Sequence, residues 1–179
     1  MNKFHMQNKK KGLDRMQLKD LRCVEDISAE KYVEYYNSIR NAMTCPDWLA
    51  PFDEDVFNMN NEIGGKTWVF FDGDEIACTV MYMPASAKFL GKAELLVEVE
   101  KVGECGPIMV SPNYRGMGLQ KEMLEHLENY CKSLNQTHIL TTIHPDNEFS
   151  SKNFKKCGYI HHSTLTLKRG DRDLFLKQI

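Results

Sequence analysis

A glycine-containing loop between an apolar strand and an amphipathic helix constrains this chain more than any other stretch. Residues 108–110 read as the end of the strand, and the Ser-Pro-Asn sequence at 111–113 reads as a turn. A helix is predicted to begin near Gly118, because apolar side chains then recur every three or four residues. This stripe consists of Leu119, Met123, Leu127, Tyr130 and Leu134. On the charged face, Glu128 and Lys132 are spaced for an ion pair one helical turn apart.

The loop itself, Arg115-Gly116-Met117-Gly118, has the chemistry of an anion site. Its glycines remove side chains where a ligand must approach the main chain closely. The first N–H groups of a helix lack intrahelical partners and carry partial positive charge. Together with the arginine, they predict a site for a phosphate or pyrophosphate. The common nucleotide loops are excluded by spacing, since no Walker sequence occurs and a dinucleotide fingerprint would need glycine where Lys121 stands.

Two motifs resemble those of the GNAT superfamily of acyl-coenzyme A N-acyltransferases. Residues 115–120 resemble its Arg/Gln-x-x-Gly-x-Gly/Ala loop, whose backbone amides hold the coenzyme A pyrophosphate, except that Gln120 replaces the last small residue. We expect this side chain to point at solvent or at the cofactor. Residues 147–159 resemble the motif Asn-x-x-Ala/Ser-x-x-x-Tyr-x-x-x-Gly-Phe/Tyr, except that Phe154 replaces the tyrosine. The resemblance covers residues 65–179 well and the N-terminal part only by the order of its elements.

The resemblance implies an α/β (α+β) fold. Its centre is a mixed, mostly antiparallel sheet of six or seven strands, splayed at the cofactor strand and flanked by about four helices. We expect one such domain over residues 13–179, preceded by a disordered, lysine-rich tail over residues 1–12.

Local signals add detail to this fold. A first strand is predicted over residues 16–22, and a hairpin over residues 67–83 with a type I′ turn at Asp72-Gly73. Ser28 and Asp53 are candidate N-caps of two helices. Pro107 lacks an N–H for the sheet ladder, so it predicts a bulge or an edge in the strand before the loop.

The implied reaction is acetyl transfer from acetyl-coenzyme A, the cosubstrate, to a primary amine of a small molecule or peptide. The residues assigned to the cofactor are Ile108, Met109, Val110, Arg115, Gly116, Met117, Gly118, Leu119, Gln120, Asn147 and Ser150. A carboxylate would assist deprotonation of the amine. Glu104 is the first candidate because it lies a strand length before the loop, and Glu100 is the second. The alternative for each is a solvated carboxylate at a strand edge.

Because Phe154 has no hydroxyl, the chain lacks the usual proton donor to the departing thiolate. Tyr114, Tyr159 or a water could replace it, or the thiolate leaves unaided, in which case Phe154 is a packing residue. A non-catalytic acyl-coenzyme A sensor or scaffold with the same fold is therefore the alternative function.

The acceptor side would be lined by the N-terminal helices and their connecting loop. Trp48, Phe52, Asp47 and the acidic residues 53–55 would suit a cationic amine. Alternatively, the carboxylates cap a helix and Trp48 is a core residue.

Composition and cysteine spacing limit the kinds of partner, metal site and cellular location that fit this chain. A formal net charge of −2 argues against general nucleic-acid binding, and no stretch approaches the apolar length of a membrane span. The six cysteines are far apart, which excludes a Cys-x-x-Cys metal site and favours free thiols in the cytoplasm. No metal site is expected, while a homodimer is an expectation from the family.

Overall fold

This computed structural model describes residues 16–179, and the predicted tail over residues 1–12 lies outside them. Seven strands form one sheet in the order β1-β2-β3-β4-β5-β7-β6. Their bounds are Arg22–Val24 (β1), Lys66–Asp72 (β2), Glu75–Pro84 (β3), Val102–Val110 (β4), His138–Ile143 (β5), Ile160–Leu167 (β6) and Gly170–Gln178 (β7). Neighbouring strands are antiparallel except β4 and β5, which are parallel. The expected mixed, mostly antiparallel sheet is thus confirmed.

Five α-helices occur in the described part of the chain. They are Ala29–Asn41 (α1), Glu54–Glu62 (α2), Ala87–Lys92 (α3), Leu119–Ser133 (α4) and Glu148–Lys156 (α5). Ser28 and Asp53 cap α1 and α2 as predicted, each accepting a hydrogen bond from a backbone N–H in the first turn. Gly158 follows α5 with φ of +87°, the left-handed conformation that lets glycine end a helix.

The sheet separates two apolar layers. On one face, Leu119, Met123 and Leu127 of α4 pack with strand residues that include Tyr82 and Cys105. On the other face, aromatic residues of α1 and α2 pack on β2 and β3, and α3 packs on β5 and β7. Tyr32 is fully buried at the centre of this second layer, with Phe57 and Phe52 at ring-centroid distances of 4.9 and 5.7 Å. Both sides of the sheet are therefore covered.

Three local predictions were wrong. Residues 18–20 form a 3-10 turn rather than a strand, and β1 begins only at Arg22. Asp72 pairs with Glu75, so Gly73 and Asp74 are the central residues of the hairpin turn. Only Gly73 has a positive φ, which is the pattern of a type II′ turn and not of type I′.

The third wrong prediction concerns the charged face of α4. Glu128 pairs with Lys177 of β7 instead of with Lys132 one turn along the helix. The ion pair therefore joins α4 to the sheet.

Candidate active site

The two parallel strands at the centre of the sheet separate part-way along their length. β4 and β5 pair only from Val102 to Glu104 and from His138 to Leu140, although both strands continue further. Just past the last pair, the Thr141 hydroxyl donates a hydrogen bond to the Cys105 carbonyl over 3.1 Å. A side chain thus takes the place of the next ladder bond, and the following edge of β4 faces a gap.

A bulge on the other side of β4 accompanies this gap. Tyr82 pairs with Cys105 and Val80 with Ile108, so Gly106 and Pro107 stand opposite the single residue Met81. The bulge predicted from Pro107 is confirmed, because the proline lies where the ladder needs no donor. A side chain at Gly106 would meet the Met83 sulfur at 2.8 Å, so the flexible Met83 side chain would have to move.

The loop after β4 leads directly to the N-terminus of α4. Gly116 and Gly118 have φ of +81° and +91°, which only glycine adopts at low cost. Gly118 is the N-cap of α4 and offers no side-chain oxygen, so the first helical N–H groups receive no side-chain cap. Arg115 is exposed, and its Nε donates to the Val110 carbonyl at 3.4 Å. This arrangement fits the pyrophosphate of coenzyme A, since it offers main-chain donors, the helix dipole and a guanidinium together.

The other residues assigned to the cofactor contribute mostly through the backbone. Leu119 and Met109 are 1% and 3% exposed and lie in the core on opposite faces of the sheet. Ile108, Val110 and Met117 are partly buried against the α4 layer. None of these side chains has a polar group for a phosphate, so they would shape the gap and the main chain.

The two motifs are joined at the surface. The Gln120 Oε1 accepts a hydrogen bond from Asn153 of α5 over 2.8 Å, which fixes the side chain that replaces the usual small residue. The sequence did not predict this contact. Asn147 caps α5 by accepting from the Ser150 N–H, so its side-chain oxygen is already engaged.

Glu104 stands at the point where the strands part. It is paired with Met83 on β3 and with Leu140 on β5, and its side chain is partly buried. Burial raises the pKa of this carboxyl to about 7, while the positive charge of Arg169 opposes the increase. A carboxyl with a pKa near neutrality suits a general base. Glu100, the second candidate, is exposed in a 3-10 turn before β4.

The candidates for the missing proton donor are unfavourably placed. Phe154 is 1% exposed and packs edge-to-face on Tyr159 with ring centroids 4.9 Å apart, as a packing residue does. The Tyr114 hydroxyl contacts Asp72 and Glu75 of the β2–β3 hairpin, and burial together with these two carboxylates raises its pKa to about 12. The Tyr159 hydroxyl is buried without a hydrogen-bond partner among residues 16–179, and burial raises its pKa strongly.

The loop between α1 and α2 is held over the sheet near this gap. The Tyr36 hydroxyl donates to the Ala50 carbonyl at 2.6 Å, and Phe52 stacks on the Tyr36 ring. Asp53 is used as the α2 cap, and Asp47 pairs with Arg40 at 3.5 Å. Trp48 is only partly buried and belongs to none of the apolar clusters of the described chain. Asp47 and Asp53 thus have partners within the protein, whereas Glu54 and Asp55 are exposed in the first turn of α2.

Sequence reasoning missed several side chains that converge here. Tyr35 of α1 forms a hydrogen bond of 3.0 Å with Ser111, which in turn donates to the Ile76 carbonyl and so fixes the start of the loop. Arg172 of β7 donates to the Asp47 carbonyl at 3.3 Å and so joins the sheet to the α1–α2 loop. No motif marks these contacts, because their partners lie 35 to 125 residues apart in sequence.

The match to a protein family decides the classification. The Acetyltransferase (GNAT) family profile matches residues 30–159, which include the gap, the glycine loop and α5. The chain belongs to the GNAT acetyltransferase family. No protein of curated function matches its sequence significantly.

Solved structures share the GNAT fold at low sequence identity. An N-acetyltransferase from Staphylococcus aureus Mu50 superposes with a TM-score of 0.67 at 18% identity, covering 88% of this chain and 96% of the other. A Salmonella typhimurium protein solved with its cofactor acetyl-CoA gives 0.65 at 15% identity, covering 88% and 93%. The spermidine N-acetyltransferase from Vibrio cholerae gives 0.63 at 12% identity, covering 89% and 94%. These similarities establish the fold.

Two further observations concern metal sites and membrane-spanning helices among the described residues. Within residues 16–179, no group of three or more His, Cys, Asp or Glu side chains is arranged to hold a metal ion. No helix in that range is long and apolar enough to cross a membrane.

Proposed function

We propose that this GNAT protein transfers the acetyl group of acetyl-coenzyme A to a primary amine of a small molecule or peptide. The observation that carries the proposal is the position of Glu104 at the parting of β4 and β5, on the strand that leads into a loop suited to pyrophosphate. The main-chain N–H groups of the glycine loop and of the first turn of α4, with Arg115, would hold the cofactor. Bound there, acetyl-coenzyme A would supply an activated acyl thioester.

Glu104 would accept the proton of the attacking amine, directly or through a water. Its pKa near 7 leaves a large fraction of the carboxylate ionised at neutral pH and still basic enough to take a proton. The gap-facing edge of β4 near Val110 would offer a backbone N–H to the developing negative charge on the thioester oxygen. The Thr141 hydroxyl keeps this edge open by ending the β4–β5 ladder.

We propose that the thiolate leaves without a dedicated proton donor. Phe154 has no hydroxyl, Tyr114 is held by two carboxylates at the hairpin, and the Tyr159 hydroxyl lies in the core. Because a thiol has a pKa of about 8.5, its anion is a good leaving group near neutral pH.

The test is release of coenzyme A from acetyl-coenzyme A in the presence of a broad panel of amines, which includes amino acids, peptides and polyamines. Steady release with at least one amine, with acetylated product detected by mass spectrometry, is the expected result. No release with any amine, together with tight cofactor binding, would favour the sensor or scaffold function instead. Phe154 is the observation that keeps this second candidate in view, since it removes the usual proton donor.

We also propose a cytoplasmic location and a homodimeric state. All six cysteines are free thiols, which suits a reducing compartment. Sedimentation of the purified protein at several concentrations would test the dimer, and fractionation of the native cells would test the location.

A further inference from the structure

Two arginines of the β6–β7 turn lack an acidic partner. Arg172 is only 8% exposed, and its guanidinium donates to the carbonyls of Asp171 at 2.8 Å and of Asp47 at 3.3 Å. Arg169 is exposed at the turn itself. In the part of the chain from residue 16 onward, no carboxylate lies within ion-pair distance of either guanidinium. Arg40, which contacts the same loop, does have such a partner in Asp47.

A buried guanidinium without a carboxylate is costly, because two carbonyl oxygens replace only part of its hydration. Arginine has five N–H donors, and the two hydrogen bonds of Arg172 leave donors available. The hydrogen bond from Arg172 that joins β7 to the α1–α2 loop could equally be made by an uncharged donor. The positive charge of Arg172 therefore needs a separate explanation.

The arginines lie on the same face of the sheet as Glu104. Successive side chains of a strand point to opposite faces of the sheet. Cys105 faces α4, so Glu104 points to the other face, as Val102 does. By the same alternation on β7, Arg172 points to the same face as Leu174. Leu174 packs with Val102 in one apolar cluster, so this is also the face of Glu104. The register places Glu104 level with Leu140, and Asp173 level with Ile143. Arg172 is thus about four residues, or about 13 Å, further along the sheet toward its open end.

The charges of this region act on one another. Arg169 lowers the pKa of Glu104 against the effect of burial, and it also opposes the increase in the pKa of Tyr36. Burial and the nearby Arg169 lower the pKa of Arg172, while the negative charge of Asp47 opposes the decrease. Arg169 therefore brings positive charge to the side of the sheet on which Glu104 lies.

We propose that Arg169 and Arg172 form an anion subsite, and that the acceptor is an amine that also carries a carboxylate or phosphate group. This inference rests on the proposed acetyl transfer and names its substrate class. The amine would lie at Glu104 and the anionic group at the guanidinium pair. The backbone positions of Glu104 and Arg172 are about 13 Å apart along the strands and about 10 Å apart across the sheet, so their long side chains would have to bridge most of the distance to a small acceptor.

An anion in this subsite would also change the basicity of Glu104. It would offset the positive charge of Arg169, so that the pKa of Glu104 rises toward the value that burial alone favours. A polyamine, in contrast, would bring further positive charge to two guanidinium groups and would bind poorly.

The test compares matched acceptors with and without the anion. Coenzyme A release is measured with free amino acids and their carboxamides, and with phosphoethanolamine and ethanolamine, each rate being corrected for the fraction of unprotonated amine. We expect kcat/KM to favour the anionic member of one pair by about 10- to 100-fold, the usual effect of a charge-assisted hydrogen bond. The pair that shows the preference distinguishes carboxylate from phosphate.

The variant Arg169→Ala should strongly reduce this preference, measured as the ratio of kcat/KM for the anionic and the neutral member of each pair at one pH. Lys168→Ala is the matched control, since it removes one positive charge from the same exposed turn. It should keep the preference. Because Arg169 is exposed, its substitution should not affect folding, which would be checked by thermal unfolding.

A binding measurement separates this proposal from the proposed reaction. Calorimetry with the coenzyme A-saturated protein compares an N-acetyl amino acid with its N-acetyl amide. Preferential binding of the acid that is lost in Arg169→Ala would support the subsite even if no amine were acetylated. Equal binding and equal turnover of acids and amides, or an equal loss in Lys168→Ala, would overturn the subsite and leave acetyl transfer intact.

Discussion

Substituting Glu104 by glutamine should lower the activity and, at pH 8, raise the unfolding temperature. Glutamine has nearly the same shape as a protonated glutamate but cannot accept the proton of the amine. Loss of a general base lowers rates by about 10²- to 10⁴-fold. We therefore expect kcat/KM to fall within this range in Glu104→Gln, while the affinity for acetyl-coenzyme A changes little.

The stability effect follows from the pKa of the same carboxyl. Burial raises this pKa from 4.5 to about 7, so the folded state holds the proton more tightly than the unfolded state. The stabilisation that this proton provides is complete below pH 4.5 and is lost as the pH rises through about 7. Above pH 7 the ionised, buried carboxylate costs at most about 3 kcal/mol, from 1.36 kcal/mol per pKa unit. The glutamine variant does not pay this cost.

Thermal unfolding at several pH values measures the difference. The variant and the wild type should unfold at similar temperatures at pH 5. At pH 8 the variant should unfold up to about 6–12 °C higher, since 1 kcal/mol corresponds to about 2–4 °C for a chain of this size. Glu100→Gln is the matched control, because Glu100 is exposed and lies just before the same strand. It should alter neither the activity nor the pH dependence of unfolding.

The pH profile of turnover provides the decisive readout. Wild-type kcat/KM should rise with pH through a limb near pH 7, and this limb should vanish in Glu104→Gln. If the variant kept its activity and its limb, Glu104 would not be the base. If the gap in unfolding temperature did not grow between pH 5 and pH 8, the carboxyl would not have a raised pKa.

Four further substitutions test the glycine loop, the aromatic core and the open edge. Gly118→Ala should weaken acetyl-coenzyme A binding about 5- to 30-fold by calorimetry, because its φ of +91° strains alanine by about 1–2 kcal/mol and the loop must move its N–H groups to relieve that strain. Gly73→Ala, with φ of +61° in the distant hairpin, should lose stability but no affinity. Phe154→Tyr should unfold more easily by about 1–3 kcal/mol and gain no rate, since it places a hydroxyl in the core. Tyr159→Phe should retain full turnover and equal or greater stability, and a large loss of kcat would make its hydroxyl a proton donor after all. Thr141→Val should destabilise by about 1–3 kcal/mol and lower kcat, because the β4 carbonyl loses its partner.

The features that the sequence predicted correctly depend on short-range physical constraints. Pro107 predicted the bulge because a missing N–H has the same consequence in any strand. The stripe from Leu119 to Leu127 and the caps Ser28 and Asp53 depend on helix geometry alone. The position of Glu104 on β4 follows from its distance along the chain from the glycine loop, while its role as the base stays a prediction.

The wrong predictions involve partners that are distant in sequence. The apolar residues near the described N-terminus read as a strand, but Leu21 packs in the α4 layer and the Leu18 N–H donates to Glu122 of α4. Glu128 had a local partner in Lys132, but Lys177 reaches it from β7. A periodicity or a spacing cannot reveal such competition, because the energies of these contacts depend on the assembled sheet.

The residues expected to line the acceptor site show that the number of acidic side chains near a site is a poor guide to its charge. The acidic residues of the α1–α2 loop indicated a cationic acceptor, yet the structure uses Asp53 as a cap and Asp47 against Arg40. The groups without acidic partners come from the other end of the chain, where Arg169 and Arg172 are brought next to the loop by the β6–β7 turn. What determines the field at Glu104 is which charges remain unpaired after folding. Our proposal of an acceptor with an anionic group rests on the absence of an ion-pair partner for Arg169 and Arg172 among residues 16–179, which the sequence alone does not reveal.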